Sequence, residues 1–188
     1  MKIGVLAIQG DFAEHITMLK HLGADTAEVR LPAHLSGLDG LILPGGESTT
    51  IGKLSEEYGL LEPLRHFGQT HAIWGTCAGA IFLSRDARRN QPLLGIMDIT
   101  VMRNAFGRQV DSFEADLKVE GLSTPEPYHA VFIRAPIIES VSGEAYAISA
   151  LPDGRIVAAR QGKLLATSFH PELTPDTRFH EFFLSLVR

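Results

Sequence analysis

Short apolar runs that stop on glycine or proline alternate along this chain with stretches whose apolar residues recur at helical spacing. Lys2 to Ile8 is the first run, ending at Gln9-Gly10-Asp11. Phe12 to Leu22 follows, with Phe12, Ile16 and Leu19 on one helical face before Gly23. Strands are predicted again near Ala27 to Leu31 and from Leu38 to Leu43, where the chain stops at Pro44-Gly45-Gly46, and a helix from about Thr49 to Tyr58. Ala72 to Gly75 is a short strand that turns at Thr76-Cys77-Ala78-Gly79 into Ala80 to Leu83, the opening of another helix. Such alternation predicts an α/β fold, a parallel sheet covered by helices on both faces. From about Leu93 to Leu151 the runs become strand-like and are punctuated by Gly and Pro. A hairpin turn at Pro152-Asp153-Gly154 leads into Arg155 to Arg160, so antiparallel strands are expected to be added to the sheet. Leu164 to Phe169 is the last strand, and Asp176 to Val187 a closing helix opened by Thr174-Pro175. Ligands of open sheets gather at the carboxyl ends of the strands, where this pattern delivers Gln9-Gly10, Gly45-Gly46, Cys77 and His170.

Composition narrows the choice of partner. A chain of 188 residues, 45% of them hydrophobic, is enough for one well-buried core, and residues 1–188 are read as a single domain. A formal charge of −5, a sequence pI near 5.9 and scattered basic residues argue against nucleic acid or a polybasic membrane anchor. They leave a small molecule or another protein. No apolar stretch approaches the ~20 residues of a membrane helix. One cysteine cannot form an internal disulfide and no signal-peptide pattern is visible, so a cytoplasmic location is expected.

Cys77 stands in Gly75-Thr76-Cys77-Ala78-Gly79, the thiol counterpart of the G-x-S-x-G nucleophile elbow. A nucleophile on a sharp strand-to-helix turn is held in strained backbone geometry, and side chains at the flanking glycines would collide with the neighbouring strand and helix. The helix N-terminus beside the sulfur favours the thiolate. Lone cysteines are otherwise commonly small buried hydrophobes, and spacing alone leaves that alternative open. His170, in Ser168-Phe169-His170-Pro171-Glu172, follows a predicted strand. Histidine titrates near neutrality, as a base relaying a proton between thiol and leaving amine must, and Glu172 is placed to fix its tautomer. The remaining histidines, His15, His21, His34, His66, His71, His129 and His180, lack such company and are expected on the surface or on helix faces.

Pro44-Gly45-Gly46-Glu47-Ser48-Thr49-Thr50 ends another strand with two glycines, whose freed N–H groups can stabilise an oxyanion or cradle a phosphate. The phosphate-loop spacing fails: Glu47 stands where its first glycine is required and Leu54 replaces the hydroxyl after Gly52-Lys53. A plain strand-to-helix turn capped by Ser48 or Thr49 satisfies the same residues. Arg103 and Arg134 can hold a substrate carboxylate, or pair with surface acids such as Asp111, Glu114 and Asp116, which spacing alone favours. No metal-ligand spacing is present.

Together, G-V-L-A-I-Q-G, L-P-G-G-E-S-T-T, G-T-C-A-G, R-N-A-F-G-R-Q-V-D-S-F-E-A-D-L, V-F-I-R-A-P and S-F-H-P-E-L resemble the class I glutamine amidotransferases. The long central string is most similar to the branch that serves deoxyxylulose-independent pyridoxal 5′-phosphate synthase as its glutaminase subunit. The resemblance implies a flavodoxin-like three-layer fold with a mostly parallel central sheet and a Cys77-His170-Glu172 triad. It also implies glutamine contacts from Gly46, Glu47, Ser48, Arg103, Ile133 and Arg134, with Gly46 and Ala78 as oxyanion donors. L-Glutamine is then the substrate, a synthase subunit in a hetero-oligomer receives the ammonia, and no cofactor is needed in this chain. Gln9 would lie near the oxyanion loop or the partner interface. A redox protein with an exposed elbow cysteine, or a regulatory subunit that keeps only the fold, are the rivals; neither requires all three triad positions to be filled.

Overall fold

A computed structural model describes residues 1–103 and 112–188. The first half runs β1 (Lys2–Leu6), α1 (Phe12–His21), β2 (Asp25–Val29), β3 (Gly40–Leu43), α2 (Ser48–Glu57), α3 (Leu61–Gly68), β4 (Ala72–Thr76) and α4 (Ala78–Leu83). Strands β5 (Ser84–Asp86), β6 (Met97–Met102), β7 (Ser112–Leu117), β8 (Tyr128–Ile133), β9 (Ile137–Val141), β10 (Tyr146–Ala150), β11 (Ile156–Gln161) and β12 (Leu164–Thr167) follow. A 3-10 turn at Pro171–Leu173 and α5 (Arg178–Val187) close the chain.

The main sheet has the order β2-β1-β3-β4-β12-β11-β9-β6-β5, with β10 paired to β11. Its five-strand half from β2 to β12 is parallel throughout, and the extension through β11, β9 and β6 is antiparallel. The inner strands of this half, β1, β3, β4 and β12, are buried on both faces, which explains their nearly continuous apolar runs, whereas the edge strand β2 is exposed or half-buried over most of its length. Side chains alternate between two cores. Leu41, Leu43 and Ile73 pack with Ile51 of α2, Leu64 of α3 and Ala80 of α4, while Ile3, Ile42 and Trp74 pack with Leu19 of α1 and Phe179 and Phe183 of α5. The expected three layers are therefore present. The region after residue 93 divides in a way the sequence did not reveal: β7 and β8 form a separate two-stranded ribbon, whose Leu117, Tyr128 and Phe132 join the core on the α5 side.

Two local expectations are corrected. Helix α2 is capped by Glu47, not by Ser48 or Thr49, its carboxylate accepting from the Thr50 N–H at 2.8 Å and the Thr50 hydroxyl at 2.9 Å. Helix α5 starts at Arg178 rather than Asp176, because the Asp176 carboxylate takes the Arg178 N–H at 3.1 Å and its guanidinium. The central string falls partly on residues 104–111, and Asp111 with it, outside the described residues.

Candidate active site

Cys77 sits between β4 and α4 with φ 47° and ψ −105°, a conformation L-residues seldom adopt, which costs about 1–3 kcal/mol and persists where surrounding structure enforces it. The enforcement is visible at the flanking glycines. A Cβ on Gly79 would lie 1.9 Å from the Leu43 carbonyl oxygen at the end of β3, and one on Gly75 would lie 2.5 Å from the Gly79 carbonyl. Only a chain without side chains at both positions turns this tightly, so the glycine frame read from the sequence has its steric reason.

His170 follows β12 and Glu172 lies in the 3-10 turn beyond it, both buried. Glu172 Oε1 and His170 Nδ1 are 2.7 Å apart, which leaves the Nε2 side of the ring for Cys77. Burial opposes charge on the imidazole, yet hydrogen bonds and charge from Cys77 and Glu172 outweigh it and lift His170 to about 10. Burial raises the Glu172 carboxyl, with His170 pulling the other way. The partners of the ring thus favour its protonated form against the cost of burial. Asp11 Oδ2 stands 3.8 Å from His170 Nδ1, so three ligand-type groups, Asp11, His170 and Glu172, converge within 4.8 Å. A 2.7 Å contact between His170 and Glu172 fits a shared proton, since an ion between two such atoms would hold them farther apart.

These groups open onto a cavity of about 520 Å³. Its walls include Gly46, Glu47, Ser48, Cys77, Ala78, Arg103, Ile133, Arg134 and His170, so every residue expected to touch substrate or oxyanion is brought to one place; Glu172 stands behind His170, off the wall. Arg103 binds Glu47 Oε1 at 2.9 Å and the Thr49 hydroxyl at 3.2 Å instead of the acids of β7. Glu114 and Asp116 bracket His129 instead. Burial opposes the charge on Glu47, but hydrogen bonds from Thr50 and Thr49 and the Arg103 cation prevail and hold its carboxyl down at about 2. Arg134 has φ 42°, a second strained residue on the wall.

The turn after β3 is pinned from the β1–α1 loop. Gly45 offers its carbonyl to the Asp11 N–H at 3.1 Å, and Gln9 Oε1 accepts the Glu47 N–H at 2.7 Å. Gly46, at φ 150°, lies so close to Gln9 that a Cβ would meet Oε1 at 2.4 Å. Gln9 thus has a definite place beside the glycine turn after β3.

Two histidines expected on the surface or on helix faces are interior. His15 of α1 and His180 of α5 are fully buried, with His15 Nδ1 3.0 Å from His180 Nε2 and both rings edge-on to Trp74. A signal existed: His15 lies three residues after Phe12 and four before Leu19, on the apolar face of its helix. Burial drives His15 well below its ordinary value, with charge from His180 and His170 adding, and burial alone brings His180 to about 3. Acid sensitivity follows. Below the ordinary pKa of about 6.5 the unfolded chain protonates these rings while the folded chain does not. Their contribution to stability is complete above that pH and is lost as pH falls through the folded-state values; for His180, which titrates near 3, the loss is about 1.4 kcal/mol per pH unit. Urea unfolding at pH 6, 5 and 4, below the range in which the raised His170 works in the opposite sense, should show the decline, and His180→Leu should flatten the slope by that ring's share. An unchanged slope in that variant would refute the assignment.

Comparison with known proteins identifies the family. Residues 5–188 match the SNO glutamine amidotransferase family. A pyridoxal 5'-phosphate synthase subunit PdxT of Roseiflexus sp. (strain RS-1) is 55% identical over 190 residues, covering 99% of this chain and all of the relative. The protein of the same name from Herpetosiphon aurantiacus is 58% identical over 191 residues, with 99% and 100% coverage. A crystal structure described as a glutamine amidotransferase superposes with a TM-score of 0.93 at 51% identity, over 98% of each chain. No helix among the described residues is long and apolar enough to cross a membrane.

Proposed function

The chain belongs to the SNO glutamine amidotransferase family, and from that premise we propose that it hydrolyses L-glutamine to L-glutamate and ammonia with Cys77, His170 and Glu172 as its triad. The ammonia passes to a pyridoxal 5′-phosphate synthase subunit in a hetero-oligomer, as the names of its relatives suggest. The observation that carries the reading is the strained Cys77 elbow facing an imidazole that Glu172 holds at 2.7 Å.

Arg103 and Arg134 offer cations to the substrate α-carboxylate, and the side-chain amide reaches Cys77. The Cys77 sulfur attacks the amide carbon, and the carbonyl oxygen takes up the displaced electron pair against the N–H groups of Gly46 and Ala78. Collapse of that intermediate breaks the C–N bond. His170 gives its proton to the departing nitrogen, leaving a γ-glutamyl thioester and a neutral ring. Water then adds, its proton going to the ring, and the second collapse expels the sulfur and releases glutamate. Glu172 keeps the Nδ1–H tautomer throughout. The single cysteine must stay reduced, which agrees with a cytoplasmic setting.

A diazoketone analogue of glutamine places an electrophilic carbon where the amide carbon sits. One equivalent should alkylate Cys77 and stop turnover, as peptide mass spectrometry and glutamate release will show. Modification elsewhere, or full turnover after stoichiometric labelling, would refute the site.

A further inference from the structure

Behind the triad lies a polar layer that the proposed chemistry leaves unused. Glu172 presents Oε1 to His170, but its Oε2 is buried and has no hydrogen-bond partner among the described residues. The nearest cationic-type group is His15 Nε2 at 3.4 Å, which also lies 3.3 Å from the Thr76 hydroxyl on β4. Beyond His15 stands His180, whose Nδ1 has no hydrogen-bond partner among the described residues.

The tautomers follow from this arrangement. If His15 carried its proton on Nδ1, its bare Nε2 lone pair would face a carboxylate oxygen, and His180, accepting on Nε2, would bury an unpaired Nδ1–H. With both rings protonated on Nε2, His180 donates to His15 Nδ1 and His15 donates toward Glu172 Oε2 and Thr76. What this leaves at His180 is a bare Nδ1 lone pair in place of a buried Nδ1–H, and Glu172 Oε2 keeps the 3.4 Å approach of His15. Neutral rings are what so dry a place requires, and a neutral His15 can orient Glu172 without cancelling its charge.

We propose that His15 is a positioning residue of the triad: supported by His180 and Thr76, it directs its Nε2–H at Glu172 Oε2 and so fixes the carboxylate plane that holds His170. The inference rests on the triad reading above. The charged or titratable groups facing this carboxylate are His170, His15, Asp11 and Tyr128, and those facing His15 are Glu172, His180 and His170. His15 is the one that approaches Oε2 from α1, the helix opposite the 3-10 turn.

Two amides of different reach test the idea. The Gln side-chain nitrogen lies as many bonds from Cβ as imidazole Nε2 does, whereas the Asn amide extends only as far as Nδ1. His15→Gln therefore keeps a donor for Glu172, and His15→Asn keeps at most the contact to His180. In the full chain assayed with its synthase, His15→Asn should lower kcat by about tenfold with KM within about twofold, and His15→Gln should stay near the parent. Iodoacetamide alkylation of Cys77 followed against pH gives a second readout. A loosely held Glu172 supports the His170 cation less, so the midpoint should move up in His15→Asn and not in His15→Gln. Equal turnover and equal alkylation profiles in the two variants would overturn the inference, as would losses in both that simply follow their melting temperatures. Glu172→Gln, measured alongside, separates the premises. If it is silent, the triad reading falls and the inference with it; if it is impaired while His15→Asn is not, only the inference falls.

Discussion

Replacing Cys77 by alanine is expected to reduce glutamine hydrolysis by roughly 10⁶-fold, to the level of the assay background, while leaving the chain folded. The loss is large because a thioester needs a thiol and Cys77 is the one cysteine of the chain; Ser48, on the cavity wall, sits at the start of α2 with its hydroxyl 3.5 Å from Gln91 Oε1. The fold should survive because the substitution removes one sulfur atom from a turn and keeps a Cβ at the same strained φ of 47°. His170→Asn should lose activity to a similar extent, since an amide cannot exchange the proton. The double variant should be no worse than either alone, because nucleophile and base act as one unit. Glutamate release in the presence of the synthase, with circular dichroism and melting curves as controls, decides the matter. Turnover within tenfold of the parent in folded Cys77→Ala would eliminate the nucleophile assignment.

Adding the synthase subunit should raise kcat for glutamine by about 10²–10³, the usual worth of one oxyanion donor. The turn after β3 shows how. Its Gly45–Gly46 peptide is trans, and with the Gly45 carbonyl committed to the Asp11 N–H the Gly46 N–H is turned to the opposite side. The next N–H, that of Glu47, is occupied by Gln9. A glycine pair lets a peptide plane rotate at small steric cost, so a partner that engages Gln9 can change which group faces the developing oxyanion. Steady-state glutamate release at saturating glutamine, with synthase titrated in, measures the effect. Maximal activity in the isolated chain would refute the dependence. Activation of undiminished size in Gln9→Ala and Gly46→Ala would refute this route to it.

What the sequence made legible are the positions where backbone geometry admits few residues. Gly75, Gly79 and the Gly45-Gly46 pair mark strand ends at which a Cβ would strike backbone or a neighbouring side chain, and those same ends converge on the cavity. The inner parallel strands were legible for a related reason, since strands buried on both faces are apolar nearly throughout. Partner choice was not. Arg103 finds Glu47 rather than the acids of β7, and Glu47 rather than Ser48 caps α2, because several polar residues share a turn and only the folded backbone decides which one reaches. The His15–His180 pair joins helices 165 residues apart, so no local pattern could relate them. The split of the strand-rich region into sheet extension and ribbon likewise depends on pairing, to which alternation is blind.

The contact between Gly79 and Leu43 has a mechanical meaning. With no methyl group between them, the first turn of α4 lies directly on the last carbonyl of β3, so the elbow and the strand that feeds the glycine turn form one rigid frame. Neither can slide without parting the other. What remains adjustable at the anion-binding end is a torsion inside the frame, a switch of one peptide plane rather than the swing of a lid. A regulator acting there needs little contact area and moves almost no mass, and its signal would appear as a reorientation of backbone dipoles, with no change in the size of the cavity.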